Sequence, residues 1–192
     1  MNNQITNIER LALSEKKVFT IEDLAVLWQI FDRRRLIERI KYYIRSKRLI
    51  HIYKGVYAFG EGYTSLDIAQ KLVPLSYISL YTTSQMHGLT FQYDSTTYGI
   101  ALQSKKYTIN EQNYVYHRVK EPVFYNPLGL VNNGRYIIAD KERTICDCLY
   151  VFPHFAFDTI GTIDKEKLQS LATMYQNIRL EKEVGKMLEN LD

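Results

Sequence analysis

Apolar positions along the first sixty residues follow two periods in turn. Ile5, Ile8, Leu11 and Ala12 recur at helical spacing and predict a first helix. Thr20 stands before the run IEDLAVLW as an N-cap, with Asp23 three residues on as a weaker form of the capping box. Phe19 and Leu24 occupy the two positions of a hydrophobic staple, which would fix how the chain enters this second helix. A third helix starts at Asp32, whose carboxylate suits both the free N–H groups and the positive end of the helix dipole. Leu36, Ile37, Ile40, Tyr43 and Ile44 then give it one inward stripe. From Ile50 the period shortens to two. Ile50 and Ile52 alternate with His51 and Tyr53, and after Lys54-Gly55, Val56 and Ala58 alternate with Tyr57 and Phe59. Two such runs around a glycine-containing pair predict a β-hairpin. Three helices and a hairpin, in that order, are the elements of a winged helix-turn-helix.

Glycine and turn formers in GEGYTS, residues 60–65, mark the expected boundary, dividing the chain into 1–60 and 61–192. Beyond it, Leu66, Ala69, Leu72 and Val73 predict a helix stopped near Pro74, and SLYTTSQMHG predicts another closed by Gly88. TTYGIAL, NYVYHRV, PVFY and RYII are rich in aromatic and β-branched residues and read as strands. Asp140 caps a helix with Ile145, Cys148, Leu149 and Phe152 on one face. Leu168, Leu171, Ala172 and Tyr175 mark a further helix, and Val184, Met187, Leu188 and Leu191 a last one. The expected fold class is α+β, a winged helix-turn-helix followed by a mixed α+β domain.

Charge is what separates the two parts. Residues 1–60 hold 12 Lys/Arg against 6 Asp/Glu, whereas the remainder holds 13 against 15, within a net charge of +4. A basic segment joined to a near-neutral one suggests that the first part meets a polyanion. No apolar run approaches membrane-spanning length. The first thirteen residues lack a basic stretch followed by a long apolar one, so no secretory signal is expected. Two cysteines one residue apart, Cys146 and Cys148, suit a reducing interior, and a cytoplasmic protein is expected.

The excess charge has a direction. With Ile40 facing the core and about 100° per residue, Arg34, Arg35, Glu38, Tyr42 and Arg45 fall roughly opposite, and Arg39 and Lys41 flank them. About fifteen helical residues span roughly 22 Å, enough to lie along a major groove. Lys47 and Arg48 continue the charge past the helix, and Lys54 falls at the hairpin tip, where a cation can rest on a phosphate backbone. Arginine suits this work because its planar fork matches phosphate and the guanine edge. An ordinary solvated face also carries Arg and Lys, but usually mixes signs so that Glu and Lys pair four residues apart. Residues 32–54 instead hold nine cations against Asp32 and Glu38, and Asp32 is already employed as a cap. The imbalance favours double-stranded DNA as the partner.

Several stretches together resemble one family. FTIEDLAVLW (19–28) and LIERIKYYIRSKRLIHIYKGVYAF (36–59) are similar to the N-terminal winged helix of AbiEi-type antitoxins, from type IV toxin–antitoxin (abortive infection) systems. SYISLYTTSQMHGLT (76–90) and YIIADKERTICDCLY (136–150) extend the likeness into the second half. The resemblance implies a protein that represses its own operon by binding inverted repeats; a monomer or weak dimer is expected, since a dimer or two monomers side by side would serve such a site equally. It also implies neutralisation of a nucleotidyltransferase-like toxin, direct contact not being required. The positions it carries over are Arg34, Arg35, Arg39, Tyr42, Arg45, Lys47, Arg48 and Lys54, and it supplies no catalytic residue. The alternative is a one-component transcriptional regulator whose second domain binds a small ligand among its 16 Tyr and 8 Phe.

Catalytic and metal chemistry finds less support. Side chains two apart on a helix diverge by about 200°, so Cys146 and Cys148 cannot both ligate one metal, and a buried Cys148 beside a less buried Cys146 is expected. Asp140, Glu142 and Asp147 could suggest a metal-dependent nuclease, but a cap at Asp140 and solvated faces for the other two explain them more simply. There is no glycine-rich phosphate loop and no nucleophile elbow in the sequence. Neither an enzyme nor a cofactor is expected. On NYVYHRV, Tyr114, Tyr116 and Arg118 should share one strand face, filling a half-wet sheet surface, with Val115, His117 and Val119 on the other.

Overall fold

The computed structural model describes residues 6–190, a mixed α+β chain that divides into two compact units after Pro74. Expectations for Ile5 and Leu191 lie outside the described residues.

The first unit is built from its helix caps. Thr6 caps α1 (Asn7–Ala12) through a reciprocal box with Glu9. The Thr20 hydroxyl accepts from the Asp23 N–H at 3.1 Å and the Asp23 carboxylate accepts from the Thr20 N–H at 2.9 Å, so α2 (Ile21–Trp28) starts where the capping pattern placed it. Asp32 caps α3 (Arg33–Arg45), accepting from the Arg35 N–H at 2.8 Å. Leu36, Ile40 and Tyr43 turn inward onto Leu11, Phe19, Leu24 and Trp28.

The hairpin follows, with strands β2 (Leu49–Tyr53) and β3 (Val56–Phe59) joined at Lys54-Gly55, where Gly55 adopts φ +78°. A third strand, β1 (Val18–Thr20), completes a sheet of order β1-β3-β2. Three residues are too few to show alternation, so β1 became visible only through its pairing of Val18 with Ala58. The expected alternation in β2 also needs correction. The register passes from His51 opposite Tyr57 to Tyr53 opposite Val56, which leaves Ile52 as the extra residue of a bulge. The bulge resets the faces, so Leu49 and Ile52 are buried while Ile50 is exposed.

The boundary lies further on than the turn-rich 60–65 stretch. Helix α4 (Ser65–Leu72) packs back on β1 and β3, and Lys71 places its ammonium 2.7 Å from Asp23. Burial works against the Asp23 charge, but Lys71, the Thr20 N–H and Lys16 outweigh it and hold the carboxyl below its usual range.

The second unit carries β4 (Ser76–Ile78), α5 (Tyr81–Met86), β5 (Thr97–Ala101), β6 (Lys105–Ile109), β7 (Gln112–Arg118), α6 (Glu121–Tyr125), β8 (Leu130–Asn132), β9 (Ile137–Ala139), α7 (Lys141–Val151), α8 (Lys165–Met174) and α9 (Ile178–Glu189). Its sheet runs β6-β7-β5-β4-β9-β8, with β5–β7 and β4–β9 parallel and the remaining pairs antiparallel. Gly88 follows α5 as its closing residue, with the Leu89 N–H returning 2.8 Å to the Ser84 carbonyl. PVFY, expected as a strand, lies within the short helix α6 instead. Pro122 sits in its first turn, where a fixed φ and a missing N–H cost nothing.

Helix α7 departs most from expectation. Every residue from Glu142 to Leu149 is buried, so there is no single apolar face and no solvated one. Arg143 and Asp147 are both fully buried. Arg143 donates to the Val123 carbonyl at 2.7 Å, the Leu128 carbonyl at 3.0 Å and the Tyr77 hydroxyl at 3.0 Å. The Asp147 carboxylate accepts from Tyr77, Tyr175 and Ser79, with the Arg143 Nε 3.7 Å away. Gly129 makes room for this cluster: a Cβ there would lie 2.7 Å from the Arg143 Cβ. A buried charge survives when its donors and acceptors are met inside the protein, and this pair meets nearly all of them.

Candidate nucleic-acid interface

Burying Leu36, Ile40 and Tyr43 forces the other faces of α3 outward. Arg33, Arg34, Arg35, Arg39, Lys41, Tyr42 and Arg45 are all exposed, as are Lys47, Arg48 and Lys54 beyond the helix. Among the described residues, one carboxylate lies within ion-pair distance of any of these cations: Glu38, 3.4 Å from the Arg34 Nε. That pair is open to solvent and neutralises little. The thirteen residues of α3 extend about 20 Å, so the uncompensated charge forms a continuous strip.

The strip has two flanks. On one, Arg34, Lys41 and Arg45 succeed each other at helical spacing, and the Arg45 Nε reaches the Lys41 carbonyl at 3.4 Å. On the other, Arg35, Glu38, Arg39 and Tyr42 line an open groove of about 620 Å³, together with Gln29, Ile30, Phe31 and Asp32 from the α2–α3 connection. Gln29 ends α2 in the left-handed region (φ +57°), and Asp32 is extended where it caps α3. Phe31 is 77% exposed and Tyr42 is 55% exposed, so the groove combines cations with open aromatic surface. Arg33 at the head of α3 and Phe31 at the groove were not among the residues singled out from the sequence.

Past α3 the backbone closes in a helix-ending motif. The Arg48 N–H returns to the Tyr43 carbonyl at 2.9 Å and the Lys47 N–H to the Ile44 carbonyl at 3.0 Å. This requires Lys47 to adopt φ +57°, a conformation in which glycine is preferred and a Cβ is strained. Here a cation occupies the glycine position. Lys47→Gly is expected to raise stability by about 1 kcal/mol in chemical denaturation, while lowering the salt slope of duplex binding by about 0.9. Unchanged duplex binding would remove Lys47 from the interface. At the hairpin tip, the Gly55 carbonyl accepts from the Ile21 N–H at 3.2 Å, anchoring the turn that presents Lys54 to the start of α2.

No known family model matches this chain, and no curated protein matches it. What this surface can do is therefore read from its own chemistry.

The residues weighed for catalysis are placed differently from their expectation. Asp140 caps α7 as foreseen, accepting from the Arg143 N–H at 2.9 Å. Asp140 and Glu142 both accept from Lys167, and Asp147 sits in the interior network rather than on a solvated face. Cys146 and Cys148 are free thiols and equally buried, so the expected contrast between them does not hold, and burial pushes both thiols well up from their ordinary range. Tyr114 and Tyr116 are buried rather than half-wet. His117 packs between the rings of Tyr98 and Phe152, where burial and Lys106 lower its pKa. His87 places Nε2 3.0 Å from the Ala139 carbonyl. No helix among the described residues is long and apolar enough to cross a membrane.

Proposed function

We propose that the first unit is a winged helix-turn-helix that binds double-stranded DNA, with α3 in the major groove and the Lys54 hairpin tip on the phosphate backbone. The observation that carries this reading is the strip of exposed cations from Arg33 to Lys54 with a single exposed carboxylate partner. Arg34, Arg35, Arg39, Tyr42, Arg45, Lys47, Arg48 and Lys54 are the contact residues. Crowding like charges on one helix is costly in water and is relieved by a polyanion.

In this reading the chain is an antitoxin of the AbiEi type that represses its own operon at inverted repeats and counters a nucleotidyltransferase-like toxin. Its support is the order of the resembling stretches, 19–28, 36–59, 76–90 and 136–150. Five to seven phosphate contacts give a log–log salt slope of about −4 to −6 on duplex DNA. Titrating the full chain against its own promoter fragment from low to high salt measures that slope. A flat response, or no preference for the promoter over unrelated duplex, refutes the repressor. Co-expression with the neighbouring reading frame tests the antitoxin half: growth arrest relieved by this chain is the expected outcome.

A further inference from the structure

We infer that the two flanks of α3 divide the work on duplex DNA, and that Phe31 reads the 5-methyl group of a thymine beside guanines read by Arg35 and Arg39. This rests on the duplex-binding reading above and adds the base chemistry it recognises.

The starting observation is a missing contact. Phe31 immediately precedes the N-cap Asp32, where an apolar side chain ordinarily closes a staple on the fourth helical residue, here Leu36. Leu36 is buried in the core, yet Phe31 is 77% exposed. A large aromatic ring held in water next to an available core forfeits burial energy. It is held instead on the wall of the groove lined by Arg35, Glu38 and Arg39.

The chemistry of the two flanks differs accordingly. Arg34, Lys41 and Arg45 present cations, with Glu38 reaching only the Arg34 Nε at 3.4 Å, which suits phosphates and carries no sequence information. The groove flank presents arginine forks, a carboxylate and an apolar ring. The Glu38 carboxylate is turned to Arg34 on the other flank, whereas an arginine fork matches the guanine O6/N7 edge. The ring has one apolar counterpart in the major groove, the thymine methyl. Asp32, the other carboxylate of the groove, is occupied by the Arg35 N–H.

The test uses the full chain and duplexes that it enriches from a random-sequence pool. Each thymine of an enriched duplex is replaced in turn by deoxyuridine, which removes only the methyl. At one or two positions the replacement should weaken binding by about fourfold, the worth of one desolvated methyl group. Phe31→Ala should weaken the thymine duplex by a similar factor and lose all discrimination between the two bases. Leu13→Ala, a change at another exposed apolar residue of the same unit, should leave discrimination intact. If every deoxyuridine replacement is neutral for the unaltered protein, or Phe31→Ala still discriminates, the assignment of Phe31 is overturned while duplex binding stands. If no duplex is enriched at all, the duplex reading falls and takes this inference with it. A neutral deoxyuridine series on the unaltered protein overturns the assignment even if the Phe31→Ala variant fails to fold, and Phe31→Leu, which keeps an apolar side chain, should retain part of the discrimination.

Discussion

Replacing Arg34, Arg35 and Arg45 by glutamate is expected to weaken duplex binding by about 100-fold or more while shifting the thermal midpoint by no more than about 2 °C. Each change removes a cation and installs an anion facing the polyanion, so the salt dependence should collapse together with the affinity. Stability should hardly respond, because all three side chains project into solvent and the one ion pair they make among the described residues, Arg34 with Glu38, is an exposed one. The helix dipole works partly in favour of the variant: glutamates at 34 and 35 fall in the first turn of α3, where negative charge is stabilising, and the one at 45 falls in the last turn, where it is not. Fluorescence anisotropy on the promoter fragment and a parallel melting curve measure both quantities. A collapsed melt would make these arginines structural, and retained binding would remove α3 from the interface.

Asp147→Ala is expected to destabilise the second unit by about 3–5 kcal/mol, because it leaves the fully buried Arg143 without its counter-charge. Tyr77, Tyr175 and Ser79 lose the acceptor of their hydroxyls in the same step. Denaturant unfolding gives the loss directly. Arg143→Met should cost a comparable amount, since it strands the Asp147 carboxylate in turn. The double change should cost well under the sum of the two, because two neutral side chains no longer leave an unpaired buried charge. Additive costs would mean that the two residues do not act as a pair, and a near-neutral Asp147→Ala would mean that the carboxylate contributes nothing net.

The elements of the first unit were legible because their signals are local. A hydroxyl or carboxylate three residues ahead of a free N–H makes a cap wherever the chain lies, so Thr20 and Asp32 announced α2 and α3. The period of Leu36, Ile40 and Tyr43 announced the buried side of α3, and with it the exposure of the arginines. Strand β1 and the bulge at Ile52 were illegible because each depends on β3, some forty residues away for β1. PVFY has strand-like composition but forms most of α6, with Pro122 in the first turn where a proline is tolerated.

Short-range chemistry along the chain therefore settled where helices begin, which way α3 turns its guanidinium groups, and where the hairpin folds back on Gly55. Contacts between distant segments settled the rest. Helix α4 joined the first unit through Lys71 and Asp23, 48 residues apart. Asp147 went inside because Tyr77 and Ser79, 70 and 68 residues away, supply its donors. Phe31 stayed outside although its position next to a cap pointed to burial. Capping and periodicity act over one or two turns of backbone, whereas the burial of a charge or the exposure of a ring depends on partners that only chain folding brings together.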